Sequence, residues 1–106
     1  ERQDAIIELL DSGVDLILVI GGFNSSNTNN LTNIAVRYGL AFHIEDVSAI
    51  LDRYHIKHKI PDSHDITTTK GWLPEGDLIV GVTAGASTPD SKIEEVINKI
   101  LELRLS

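Results

Sequence analysis

Apolar residues in this chain follow two alternating patterns, a helical period and short continuous runs. Ala5, Ile6, Leu9 and Leu10 recur at helical spacing and Gly13 stops the pattern, which predicts a helix over residues 1–12. The run VDLILVI, residues 14–20, is continuous and rich in β-branched side chains, the mark of a strand buried on both faces of a parallel sheet. Helical spacing returns from about residue 27 through Leu31, Ile34, Ala35 and Tyr38, with Gly39 as the stop. LAFHIED, residues 40–46, predicts a shorter strand, and residues 47–54 a short helix. Residues 55–76 contain two prolines and a Thr-Thr-Thr run and are expected to be mostly loop. DLIVGVT, residues 77–83, predicts a second buried strand. A helix then runs from about Pro89 to residue 103, with Ile93, Val96, Ile97, Ile100 and Leu101 on its inner face.

Strands alternating with helices predict an α/β fold, a small three-layer α/β/α domain around a mostly parallel sheet of three to four strands with right-handed crossovers. The 106 residues suit one domain spanning 1–106, since domains commonly run to about 100–150 residues. Nine Lys and Arg against sixteen Asp and Glu give a net charge of −7, which leaves no broad basic surface. Nucleic acid and anionic membrane are therefore not expected partners, because affinity for both originates largely in basic side chains. No apolar run approaches the roughly 20 residues of a membrane span, and the acidic, amphipathic start does not read as a signal peptide. With no cysteine, the chain alone offers no disulfide, no thiolate zinc site and no thiolate-bound iron-sulfur cluster.

Candidate chemistry lies in an internal echo. Residues 17–27 and 79–89 both run from an apolar strand through glycine and small polar residues into a helix. In an open parallel sheet both loops lie at the carboxyl ends of strands, where ligands of such folds bind. Gly21 and Gly22 permit close backbone approach, and each following helix points unpaired N–H groups and a positive dipole end into its loop. Ser25, Ser26, Asn27 and Thr28 add side-chain donors in the first loop, and Ser87 and Thr88 in the second, where Pro89 suits a first-turn position. This composition holds phosphate oxygens through neutral hydrogen bonds and needs no lysine. The same residues also serve as ordinary helix caps and turn formers, and neither GxGxxG nor GxxxxGK[ST] is present.

The stretches VIGGFNSSNTNNL and VGVTAGASTPD together resemble the C-terminal domain of the 4-hydroxy-3-methylbut-2-enyl diphosphate reductase family, also called LytB or IspH. The opening ERQDAI resembles the family's helix that begins just after a cluster cysteine. The resemblance covers nearly the whole chain in order and spacing. It implies a two-electron, two-proton reductive dehydroxylation at a 4Fe-4S cluster, giving isopentenyl and dimethylallyl diphosphate. It further implies that Ser25, Ser26, Asn27 and Ser87 bind the substrate diphosphate. The family's cluster cysteines and its proton-delivering glutamate and histidines have no counterpart here. The chain is thus expected to be an inactive domain fragment whose partners are the missing N-terminal domains, with ferredoxin or flavodoxin as the parent's electron donor. The resemblance places the parent in a bacterial cytoplasm or a plastid stroma. Residues 52–76 are longer than in compact bacterial members and closer to the plant and cyanobacterial type.

Other candidates compete with that reading. His55 and His58, with His64, Asp62 and Asp65 nearby, have a spacing that two metal ligands could share, but Pro61 and the surrounding lysines argue against a rigid site and a solvated loop is the expected reading. His43 reads as a hydrogen-bonded sheet residue rather than a base. Ser87 lacks any GxSxG context for a nucleophile. Trp72 reads as packing over the sheet edge, with cofactor stacking as the other option. A flavodoxin-like module holding the phosphate of flavin mononucleotide on residues 25–28 is the alternative function, although Ser26 stands where such loops want glycine. An excised domain would expose a face that normally packs on its neighbours, which predicts self-association.

Overall fold

The computed structural model describes residues 15–38, 40–73 and 79–105. The helix expected over residues 1–12, the stop at Gly39 and the start of the strand expected at residues 77 and 78 lie outside the described residues. The elements in chain order are β1 (Leu16–Ile20), α1 (Ser26–Tyr38), β2 (Leu40–Ile44), a 3-10 turn (Val47–Ala49), β3 (Ile50–Asp52), β4 (His55–Lys59), β5 (Ile66–Lys70), β6 (Val80–Ala84) and α2 (Asp90–Leu105).

The fold is α/β, as the alternation predicts, but the sheet is mixed rather than mostly parallel. Among the described residues it has six strands in the order β3-β4-β2-β1-β6, with β5 paired to β4. The β2-β1-β6 half is parallel, Leu18 standing beside Phe42 on one side and Val82 on the other. The other half is antiparallel: β4 meets β2 at His43 and Lys59, β3 at Ile50 and Ile56, and β5 along its length. The three- to four-stranded expectation fails because His55–Lys59 and Ile66–Lys70, within a stretch read as loop, pair as a hairpin. Thr67, Thr68 and Thr69 are β-branched residues suited to a pleated strand, and Pro61 sits in the turn, where its missing N–H costs no ladder bond.

The short helix expected over residues 47–54 is only one 3-10 turn. Asp46 caps it by accepting from the backbone N–H of Ser48 at 2.9 Å, and the chain then extends into β3. Asp52 closes the next turn, accepting from the Tyr54 N–H at 2.7 Å while His55 Nδ1 lies 3.0 Å away. Two local side chain to backbone bonds thus replace the helical ladder, the competition expected of aspartate.

β1 is buried along its whole length and divides the core by alternation. Leu16, Leu18 and Ile20 face one cluster with Phe42, Ile44, Ile56, Trp72 and α2 residues Val96 and Ile100. Ile17 and Val19 face another with α1 residues Leu31 and Ala35. The two helices therefore cover opposite faces of the sheet. On α2 the inner stripe is narrower than the sequence reading: Val96 and Ile100 are buried, but Ile97 and Leu101 are 40% and 53% exposed beside Val80 and Val82. Trp72 lies inside the core rather than over the sheet edge, with its ring edge-on to Phe42 and its Nε1–H donating to the Asp52 carbonyl at 3.1 Å.

Candidate functional site

The two loops singled out in the sequence meet at the carboxyl ends of adjacent strands β1 and β6. Close backbone contact sets their separation. The Gly85 N–H donates to the Ile20 carbonyl at 2.9 Å, and the Thr88 hydroxyl donates to the same oxygen at 3.1 Å. Thr28, 1% exposed in the first turn of α1, is wedged between Gly21 and Gly85. A Cβ on Gly21 would come within 2.3 Å of the Thr28 hydroxyl oxygen, and one on Gly85 within 2.2 Å, so both glycines are required by space.

The first loop is closed by its own side chains. The Ser25 N–H donates to the Gly22 carbonyl at 3.1 Å, and Ser25 Oγ accepts from the Thr28 N–H at 3.3 Å as the cap of α1. Asn29 Nδ2 donates to the carbonyls of Phe23 and Ser25 at 3.0 and 2.9 Å. Asn27 links the loops, its Oδ1 accepting from the Ala86 N–H at 2.8 Å. The Asn27 amide is thereby oriented, with its Nδ2 directed away from that bond.

The four residues marked for an anion have different surroundings. Ser25 is engaged as a cap and keeps its own hydroxyl proton. Ser26 is exposed on the first turn of α1, and Ser87 is exposed on the second loop. Among the described residues the hydroxyls of Ser26 and Ser87 and the Nδ2 of Asn27 have no hydrogen-bond partner. Ser87 lines a recess with Gly21, Gly22, Thr88 and Lys92, whereas Ser25, Ser26 and Asn27 do not line it and stand on the neighbouring loop. The structure therefore brings Asn27 to the residue beside Ser87 without enclosing all four side chains in one cavity.

Glu45 and Asp46 also border the recess, so its charge is mixed. Glu45 accepts from the Phe23 N–H at 3.3 Å. Asp46 accepts from the hydroxyl and N–H of Ser48, and these hydrogen bonds, aided by the nearby charge of Lys92, hold its carboxyl below the usual range. Lys92 is the cationic side chain on this wall, and sequence reasoning missed it because it lies inside α2, away from either glycine loop.

His43 is a second residue with an unforeseen place. It is 1% exposed on β2 and its Nε2 lies 3.0 Å from the Gly21 carbonyl. A carbonyl oxygen only accepts, so Nε2 carries the proton and Nδ1 of the neutral ring is a bare lone pair. Nδ1 is buried with no partner among the described residues, and the Phe23 ring meets the imidazole edge-on with centroids 5.0 Å apart. Burial pulls the His43 pKa below its usual value, the Gly21 carbonyl opposing and the Lys59 charge adding to that fall. The expectation of a hydrogen-bonded sheet residue is met at Nε2 and not at Nδ1.

The histidines of the hairpin do not converge. His55 and His58 lie on β4 rather than in a loop, and their odd spacing sends them to opposite faces. His55 pairs with Asp52, and His58 Nε2 lies 2.6 Å from the Thr69 hydroxyl. With no cysteine in the sequence, and no group of three or more His, Asp or Glu gathered for a metal among the described residues, the side chains of this chain do not fit an iron-sulfur cluster.

Comparison with known proteins gives one consistent result. The LytB protein family profile matches residues 1–101. The 4-hydroxy-3-methylbut-2-enyl diphosphate reductase of Trichodesmium erythraeum (strain IMS101) is 49% identical over 106 residues, 99% of this chain and 26% of that protein. The reductase of the same name from Gloeobacter violaceus (strain ATCC 29082 / PCC 7421) is 50% identical over 105 residues, 98% of this chain and 25% of that one. A solved structure of (E)-4-hydroxy-3-methyl-but-2-enyl diphosphate reductase, described as the terminal enzyme of the non-mevalonate pathway, matches with a TM-score of 0.70 at 33% identity. That match covers 95% of this chain and 29% of the other. The chain thus spans about a quarter of the length of the curated relatives it matches.

Proposed function

This chain belongs to the LytB family, and from that membership we propose that its two glycine loops bind the diphosphate of 4-hydroxy-3-methylbut-2-enyl diphosphate within a larger reductase. The observation that carries the reading is the bond from the Ala86 N–H to Asn27 Oδ1, which couples the loops and leaves the Asn27 Nδ2 donors for an anion. The hydroxyls of Ser26 and Ser87 supply further donors, and Ser25 gives its own proton while capping α1. The N-terminus of α1 contributes a positive dipole end, and Lys92 a full charge at the edge of the recess. Neutral donors suit a substrate that must be held and then released as a diphosphate product.

The parent reaction is a reductive dehydroxylation, and the electron and proton steps belong to residues this chain lacks. The chain alone binds and does not reduce. The 4Fe-4S cluster lies with other domains of the parent, which draws electrons from ferredoxin or flavodoxin in a bacterial cytoplasm or a plastid stroma.

Calorimetric titration of the 106-residue chain with inorganic diphosphate tests the binding role. Binding is expected, weakened roughly tenfold in each of Ser26→Ala and Ser87→Ala, the low end of the roughly 1.5–3 kcal/mol of a charge-assisted hydrogen bond. Unchanged affinity in both variants contradicts the assignment.

A further inference from the structure

We propose that His43 is a positioning residue of this site, holding the Gly21 carbonyl inward so that the Gly22 N–H faces the anion as an additional backbone donor. The inference rests on the diphosphate reading of the loops and extends it to a group that is not a loop side chain. The peptide joining Gly21 and Gly22 is trans and planar, so its C=O and N–H point in opposite directions. The C=O lies 3.0 Å from the buried Nε2 of His43, on the interior side. The N–H on the other edge of that peptide therefore points away from the imidazole.

What lies on that other side agrees. Gly22 is exposed, lines the recess with Ser87 and Thr88, and has open space where a Cβ would stand. Its N–H has no acceptor among the described residues, whereas the Gly21 N–H is used by the Ile44 carbonyl at 2.9 Å. The first residue of the pair is thus fixed to β2 through both its N–H and its C=O, and the second offers an unused donor at the mouth.

The imidazole itself argues for this role over simple filling of space. An apolar side chain at position 43 would pack against Phe23 without burying a lone pair, yet His43 leaves Nδ1 orphaned inside the protein. The hydrogen bond that the ring makes through Nε2 runs to the Gly21 carbonyl, 3.0 Å away on the neighbouring loop. Orienting that peptide is what the buried nitrogen accomplishes.

Amide-resolved NMR titration of the 106-residue chain with inorganic diphosphate, in wild type, His43→Leu and His43→Gln, tests the proposal. In the wild type the Gly22 amide proton is expected to move downfield with Ser26 and Ser87. His43→Leu loses the Gly22 shift and binds roughly tenfold more weakly, the scale of one hydrogen bond to an anion. His43→Gln, whose amide nitrogen reaches about as far as Nε2, restores the shift. Diphosphate binding with a stationary Gly22 amide, or a His43→Leu variant with unchanged shift and affinity, overturns the role of His43 and leaves the diphosphate site standing. No amide response at either loop in the wild type overturns the site reading and this inference with it. Should His43→Leu fail to fold, the wild-type Gly22 response and the His43→Gln titration decide.

Discussion

The side-chain oxygen of Asn27 accepts a hydrogen bond from the backbone N–H of Ala86, 2.8 Å away and 59 residues along the chain. This contact turns two separate strand-to-helix loops into one unit, because the amide can satisfy Ala86 only by presenting its Nδ2 elsewhere. Asn27→Asp keeps the acceptor for Ala86 but replaces the donor with a second carboxylate oxygen. We predict that Asn27→Asp folds and loses diphosphate binding by at least about tenfold through like-charge repulsion. Asn27→Ala loses less affinity but more stability, since the exposed Ala86 N–H exchanges its partner for water at a net cost of about 0.5–1.5 kcal/mol. Paired thermal melts and diphosphate titrations separate the two effects.

The wedge of Thr28 between Gly21 and Gly85 predicts a rescue. Gly85→Ala puts a methyl against the Thr28 hydroxyl oxygen, 2.2 Å from the ideal Cβ position, and is expected to destabilise the chain by about 1–3 kcal/mol. Thr28→Ala in the same chain removes that oxygen and leaves the Thr28 Cβ at an ordinary 3.5 Å. A denaturant series on the two single variants and the double variant is expected to show recovery of part of the loss. Purely additive destabilisation counts against the wedge.

Much of this arrangement was legible in the sequence, for a physical reason that also explains the gaps. β1, β2, β6 and the two described helices carry contiguous or periodic apolar residues because each packs on the core, and the loops after β1 and β6 follow from their placement. The hairpin was not legible. β5, Ile-Thr-Thr-Thr-Lys, is largely exposed on both faces, so no alternation marks it. β4 reads His-Ile-Lys-His-Lys yet buries, beside Ile56, the polar side chains of His58 and Lys59, whose burial only the neighbouring strands reveal. In the site, the residue types of Ser25, Ser26, Asn27 and Ser87 were visible. The bond from Ala86 to Asn27 and the hold of His43 on Gly21 are long-range pairings that no local pattern announces.

The buried histidines set a pH dependence of stability. Burial lowers the pKa of both His43 and His58 below the ordinary 6.5 of the unfolded chain. Between the folded values and 6.5 the unfolded chain binds more protons, so stability rises with pH there and is lost as pH falls below 6.5. Asp46 and Asp52 are held below their ordinary 3.8 by hydrogen bonds, from Ser48 and His55 respectively, and their contribution fades only at more acid pH. Thermal melts are expected to shift down from pH 7 to pH 5, with a shallower slope in His43→Gln. An equal slope in that variant excludes His43 as a source.

Ile97 and Leu101 of α2 are 40% and 53% exposed and line a shallow groove with Val80 and Val82 of β6. Contiguous exposed apolar surface favours association. We predict that the 106-residue chain forms dimers or larger species with rising concentration, and that Leu101→Lys shifts it toward monomer. Sedimentation velocity across a concentration series checks this, and a monomer at every concentration contradicts it.

The central claim is that the two glycine loops form one diphosphate site. Mapping amide shifts of the 106-residue chain on titration with inorganic diphosphate, followed by flavin mononucleotide, tests it most directly. Saturable shifts confined to residues 22–28 and 86–88 with diphosphate, and little further response to the flavin, are the predicted result. Shifts scattered away from both loops, or none at all, would contradict it.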